Sequence, residues 1–383
     1  MDLQNMKKEF LSMVSFAIAK GSAFSYSDEE YFNIFKLAKR NNVQNIMYHA
    51  CASEDNLPSE IKDALSKNFK LELFRDQSQA QEIEAIRADF TAAGIDFVLL
   101  KGSHLKSLYP SSVMRFMVDM DVLVRDRDME KAKNIILSHG LNQEMNNGKD
   151  IVFILKPCLT IELHKDLFVE GFIFYDYYKN IWDKVKNISE HEYAMTDNDM
   201  YIYVLAHMCE HYLDGTSCFR PCMDLYLMMK SYDLDWQYIN EEFKKLNIAD
   251  FADNIRRLCT YMFEGGKGDE TLDMMESYIV LGPPVKNASS AAQNVQHAES
   301  KAARMLRTLL PGFRHMKNRY PVLSKLPFLL PFMWLVRIIQ FAFKKDSSTE
   351  FEKKKDRIVN TSKEDSEIMK DIFIKSGINH INP

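Results

Sequence analysis

Asp119 and Asp121 stand two residues apart in Val118-Asp119-Met120-Asp121-Val122-Leu123-Val124. The alternation is that of a strand with both carboxylates on one face and Met120, Val122 and Val124 on the other. Neighbouring carboxylates repel, and a divalent cation between them removes the repulsion. Mg²⁺ suits such a place, because it takes one or two carboxylates and completes its shell with phosphate oxygens. A third acid comes from Cys158-Leu159-Thr160-Ile161-Glu162-Leu163-His164, where alternation opposes Thr160, Glu162 and His164 to the apolar residues. Three acids on adjacent strands suit two-metal phosphoryl chemistry, with Asp119, Asp121 and Glu162 as ligands and Glu162 also accepting the proton of an attacking hydroxyl.

Ahead of these acids, Phe97-Val98-Leu99-Leu100 is a short apolar run stopped by Lys101-Gly102-Ser103, the pattern of a buried strand ending in a tight turn. Ser103 is placed to cap a short helix that carries His104, Leu105, Leu108 and Tyr109 until Pro110 ends it. Arg115, four residues before Asp119, offers a forked cation for phosphate, and Lys101 offers either a second cation or a partner for a buried acid.

The order Leu100-Lys101-Gly102-Ser103, Arg115, Asp119-x-Asp121, Glu162-x-His164 resembles the bacterial nucleotidyltransferase-like family within the DNA polymerase beta superfamily. The resemblance is strongest over residues 90 to 170 and extends more weakly to about 345. It implies an α+β, mixed-sheet nucleotidyltransferase fold and Mg²⁺-dependent transfer of a nucleoside monophosphate from an NTP, ATP among them. Gly102 and Ser103 match the turn that holds the triphosphate, Asp119 and Asp121 the metal acids, and Glu162 the third acid. Lys101 stands where much of the superfamily has an apolar residue or Gly, and the gap from Ser103 to Asp119 is longer than usual there.

Around this centre the chain divides into N-terminal helices packing on the sheet (1–93), a nucleotidyltransferase core (94–190), a helical domain with a basic amphipathic end (191–345) and a charged C-terminal tail (346–383). Helical patterns break at Gly21-Ser22, Asn41-Asn42 and Asn56 to Pro58, and the longest helix, Ser59 to Ala93, stops at Gly94. After the two aspartates come a helix over Asp126 to His139 and strands over Ile151 to Leu155 and Leu159 to His164. The aromatic stretch from Phe168 to Lys186 either lines a base pocket or forms core. Helices follow to Leu213 (capped by Asp197 or Asp199), over Phe219 to Lys230, Trp236 to Lys245 and Ala249 to Phe263. Gly265-Gly266-Lys267-Gly268 is a linker, since no strand precedes it and no Lys-Ser/Thr ends it.

His207-Met208-Cys209-Glu210-His211 fits the H-x-x-E-H zinc pattern, yet no third ligand is evident. A packed His pair, or contacts of His164, His207, His211, Arg220 and Asp224 with nucleotide or acceptor, fits the surroundings better. Arg220 and Asp224, at i and i+4, are spaced for a helix-face ion pair.

With 49 basic and 54 acidic residues in 383, the net charge of −5 argues against general DNA binding. The charge is uneven: residues 301 to 345 hold ten Lys and Arg and no acid. Six scattered cysteines without metal spacing read as reduced thiols in a cytoplasmic protein. Lys7 and Lys8 before an apolar run resemble a signal peptide only faintly, and an ordinary helix is the better reading. Pro331 to Lys345 reads as an amphipathic helix, with Arg337, Gln340 and Lys344 opposite Trp334, Leu335, Ile338 and Phe341. Such a helix either docks on the helical domain or lies on an anionic membrane. The acceptor is a small-molecule, sugar or macromolecular hydroxyl. The rival reading is a nucleotide-binding or scaffold protein without turnover, docked to a membrane-associated complex.

Overall fold

Seven strands form one mixed sheet in the order β3-β4-β5-β2-β1-β7-β6. They are β1 (Phe97–Leu99), β2 (Met120–Val124), β3 (Asn142–Asn146), β4 (Asp150–Leu155), β5 (Leu159–His164), β6 (Val185–Ser189) and β7 (Glu192–Met195). The protein is seen in a computed structural model that describes residues 3–19, 21, 24–146, 149–157, 159–216, 218–297, 310–313, 316, 320–343 and 363–378. Pairing is parallel for β2 with β5 and for β1 with β7, and antiparallel elsewhere. The α+β expectation holds.

Four helices precede the sheet: α1 (Leu3–Ala19), α2 (Asp28–Arg40), α3 (Gln44–Cys51) and α4 (Ser59–Ala92). Ser27 caps α2 through a capping box with Glu30, which satisfies two donors that the helix cannot. Gly94, at φ 66°, turns the chain out of α4 into β1, a backbone conformation that glycine takes without a Cβ penalty.

Strand alternation sorts the two faces of the sheet. Phe97, Leu99, Met120, Val122, Val124, Phe153 and Ile161 pack with Ile86 and Phe90 of α4 and with Ala132 and Ile136 of α6 (Met129–Ser138). Burying each of these large side chains is worth about 1.5–3 kcal/mol, so the face is firmly specified. Val98, Leu100 and Leu123, from the opposite face, join the larger core built from the helices. Asp121, one residue from both Met120 and Val122, therefore points toward those helices.

After the four-residue turns α5 (Gly102–Leu105) and α7 (Tyr175–Tyr178), the helical half comprises α8 (Asp197–Leu213), α9 (Phe219–Ser231), α10 (Trp236–Lys245), α11 (Ala249–Glu264), α12 (Glu270–Leu281) and α13 (Ala288–His297). Two further helices are α14 (Leu330–Phe343) and α15 (Lys363–Lys375). Helix α1 leans on this half, where Lys7 and Glu276 form a buried ion pair at 2.5 Å and Ser15 donates to the Phe263 carbonyl.

Several expectations are corrected. Ser103 lies inside α5 and makes no cap; Lys101 occupies that position. Thr196, not Asp197 or Asp199, caps α8, accepting from the Asp199 N–H. The edge strand β3 and the β6–β7 hairpin were not foreseen. The charged tail contains α15, whose Met369, Ile372 and Phe373 enter the core and whose end places Ser376 Oγ 2.7 Å from the Tyr212 hydroxyl. The aromatic stretch contributes to the core: Phe168, Phe174 and Tyr178 are buried, and the Phe168 ring meets Phe174 edge-on and Tyr178 at a tilt. In α14 Arg337, from the expected polar face, is turned inward at 8% exposure together with Trp334 from the expected apolar face, whose Nε1 donates to the Pro311 carbonyl, while Phe332 and Leu335 are 61% and 58% exposed. Cys158, Gln340 and Lys344 lie outside the described residues or side chains. No helix among the described residues is long and apolar enough to cross a membrane.

Candidate active site

Register assembles the acids. Across the parallel pair β2–β5, Asp121 stands opposite Glu162 and Leu123 opposite His164; across the antiparallel pair β4–β5, Asp150 stands opposite His164. Directly opposed residues share a face, so Asp121, Glu162, His164 and Asp150 are brought together beneath α8 and α9. Asp119 precedes the first residue of β2 and reaches the same cavity from the loop. That loop is fixed from outside: Gln79 of α4 donates to the Met117 carbonyl at 2.9 Å, and Asn45 of α3 donates to that of Val113 at 2.8 Å.

The turn after β1 is the second component. The Leu100 N–H donates to the Asp121 carbonyl at 3.0 Å, tying the turn to the acidic strand. Lys101 follows at φ 39° and ψ −101°, a conformation costing about 1–3 kcal/mol for a residue with a Cβ. The strained backbone aims its ammonium inward, 2.9 Å from His207 Nε2 and 3.5 Å from Asp121 Oδ1. Lys101 is thus the partner of a buried acid, one of the two roles foreseen for it. Gly102 lines the cavity; Ser103 does not line it, and its buried Oγ has no partner among the described residues.

The cavity holds about 520 Å³ and lies between the sheet and α8–α9. Lys101, Gly102, Arg115, Asp119, Asp121, Glu162, His207, His211, Arg220 and Asp224 all line it, and His164 sits behind, 3.0 Å from Asp121 Oδ1 and 3.5 Å from Glu162 Oε2. Sequence reasoning missed Lys149, Asp150 and Asp214 on the same wall. Lys149-Asp150 opens a strand next to the one bearing Glu162, a signal visible only once the hairpin register is known.

Two roles are corrected. Arg115 is buried, and its Nε and Nη2 donate to the two carboxylate oxygens of Asp224 at 2.8 and 2.7 Å; it is a bridge to α9, not a free phosphate ligand. Arg220 therefore makes no helix-face pair with Asp224; its Nη1 donates to the Phe116 carbonyl at 2.9 Å. His207 and His211 pack with ring centroids 4.4 Å apart, and His211 Nδ1 lies 3.0 Å from Thr216 Oγ1.

Charge is unevenly shared. Burial raises the Asp119 carboxyl, and the Asp121 and Glu162 carboxylates push it further, to about 6. Burial acts the same way on Asp121, yet Lys101 and His164 overcome it and hold that carboxyl well below its ordinary range. Burial would lower His164, but its bonds to Asp121 and Glu162 win and raise it. Burial, Lys101 and His211 keep His207 well below its usual value, so its Nε2 accepts from the Lys101 ammonium.

The donor set fits a divalent cation. Asp121, Glu162 and His164 each offer a ligand atom, and these atoms all lie within 4.8 Å of one another. Two carboxylates suit an oxygen-preferring divalent ion, with Asp119 beside them, while the imidazole adds a nitrogen donor that such an ion does not require. His164, foreseen only as an acceptor or nucleotide contact, therefore joins the acids.

A family model described as an uncharacterised nucleotidyltransferase matches residues 27–264, more than half of the chain and all of the site. The chain belongs to that nucleotidyltransferase family. No curated protein and no solved structure matches it.

Proposed function

We propose that the protein is a Mg²⁺-dependent nucleotidyltransferase of the polymerase beta type, moving a nucleoside monophosphate from an NTP to a hydroxyl acceptor. The observation that carries this is the register of Asp121 against Glu162, which places two carboxylates side by side on a face that looks into a polar cavity.

Asp121, Glu162 and Asp119 would hold Mg²⁺, as two ions if the superfamily pattern is followed, with His164 behind them. Bound there, Mg²⁺ would neutralise phosphate charge and align the α-phosphate. Glu162, at 29% side-chain exposure, takes the acceptor's proton. The acceptor oxygen then forms its bond to the α-phosphorus while the α–β phosphoanhydride bond breaks, and pyrophosphate carries the electron pair away. Arg220 and Lys149, both on the cavity wall, face the polyphosphate. Lys101 holds Asp121 in place through their 3.5 Å contact and keeps His207 oriented.

Incubation with Mg²⁺ and each labelled NTP, with pyrophosphate release measured and the co-purified acceptor identified by mass spectrometry, tests this reading. Release with at least one NTP is expected; binding without release would support a scaffold that has lost turnover.

A further inference from the structure

The surface around α14 is inverted relative to a water-facing amphipathic helix. Phe332 and Leu335, at i and i+3 on α14, share one face and are 61% and 58% exposed, and Phe328, in the short 3-10 turn that leads into the helix, is 73% exposed. Val322 and Leu326, 43% and 40% exposed, add exposed apolar side chains in the turns before the helix. The inner face is fixed instead by Arg337, which is buried, and by Trp334, whose Nε1 donates to the Pro311 carbonyl at 2.9 Å. A stripe of large apolar side chains on the outside marks an interaction surface.

Charge selects the partner. Residues 301 to 345 carry no acid and, besides the buried Arg337, nine Lys and Arg, with Lys325 before the helix and Lys344-Lys345 directly after Phe343. A second copy of the chain would bring an identical cationic segment against this one, and like charges would oppose the contact. An anionic lipid surface attracts the same charges and accepts the apolar stripe between its headgroups. Over the described residues helix α14 has 14 residues, fewer than the about 20 that span a hydrocarbon core, and in the interface plane it would present its apolar face to the lipid.

We infer that the Phe328–Phe332–Leu335 face is an interfacial docking surface for anionic membrane, through which the chain is held at a bilayer. Its side chains, Phe and Leu, are the types that form the buried face of interfacial amphipathic helices.

The test is co-sedimentation of the full chain with vesicles of phosphatidylcholine alone and of phosphatidylcholine with phosphatidylserine, at low and high salt. Preferential, salt-weakened binding to the phosphatidylserine vesicles is expected. Combined Phe328→Asp, Phe332→Asp and Leu335→Asp substitution should lower the partition by about 100-fold or more, since each lost anchor is worth about tenfold. Combined Lys344→Gln and Lys345→Gln substitution, which leaves the stripe intact, should lower it by about tenfold and only on the anionic vesicles. Recovery in the supernatant with both vesicle types overturns the inference. So does equal, salt-insensitive binding to both, and so does a dimer in analytical ultracentrifugation that the stripe substitutions dissolve.

Discussion

Arg115 grips Asp224 through two hydrogen bonds of 2.8 and 2.7 Å across 109 residues of sequence, and the Tyr109 hydroxyl donates a third to the same carboxylate at 2.7 Å. The pair joins the loop before β2 to α9, so it locks the sheet to the helices that roof the cavity. Burial works against both charges, and only mutual pairing makes them tolerable. Asp224→Asn should leave a buried guanidinium half-satisfied and cost about 3 kcal/mol, measured as a shift in the urea midpoint. Arg115→Lys should lose nearly as much, because an ammonium cannot bind both oxygens at once.

Gly102 tests how tightly the turn is packed over that pair. A Cβ there would meet Arg115 Nη1 at 2.8 Å and Met117 Cγ at 2.9 Å. Gly102→Ala should cost about 1–3 kcal/mol and raise KM for nucleotide more than it lowers kcat, since it displaces a wall of the cavity rather than a reacting group. Steady-state kinetics beside a thermal melt checks both halves.

The two aspartates should respond oppositely to neutralisation. Asp119 carries a carboxyl raised to about 6 when folded, against about 3.9 unfolded. Its protonation stabilises the fold fully below the unfolded value, and that contribution is lost as pH rises through about 6. Asp119→Asn should therefore gain about 1–2 kcal/mol over wild type at pH 8 and nothing at pH 3.5. Asp121 is the reverse, with its carboxyl depressed; its stability is present above the unfolded value and lost as pH falls through the folded one. Asp121→Asn should destabilise by about 3 kcal/mol, by removing the carboxylate that lies nearest to Lys101 and His164. Urea unfolding across pH separates the two.

His207 and His211 should not hold zinc, since His207 is committed to Lys101 and His211 to Thr216. Elemental analysis of protein purified without added metal checks this. One zinc per chain, lost on His211→Ala, is the contrary outcome.

The acidic strands were legible because their alternation is carried by strongly contrasting residues: Met120, Val122 and Val124 against Asp121, and Ile161 and Leu163 against Glu162 and His164. Helix α10 ran over Trp236–Lys245 as expected, since Asp235 and an apolar stripe mark it clearly. Strand β3 was invisible because Asn142-Gln143-Glu144-Met145-Asn146 is exposed throughout and has no buried face to pattern. The Arg115–Asp224 bridge was hidden for another reason: spacing within a helix suggests Arg220 as the neighbour of Asp224, and only the packing of α9 on the loop before β2 supplies a nearer cation. Helix α14 misled through its sequence: Trp334, expected on the face opposite Arg337, lies with it on the inner side, and Phe332 and Leu335 are left to the outside.

The central claim is that Asp121 and Glu162 form a metal-dependent nucleotidyl-transfer site. It is tested most directly by pyrophosphate release from the wild-type chain, Asp121→Asn and Glu162→Gln, each with its acceptor and with Mg²⁺ or EDTA. The account expects release that EDTA abolishes and that falls by about 100-fold or more in Glu162→Gln, with Asp121→Asn near background at a pH where circular dichroism finds it folded. Release that survives EDTA, or that changes less than about twofold in Glu162→Gln, would contradict it.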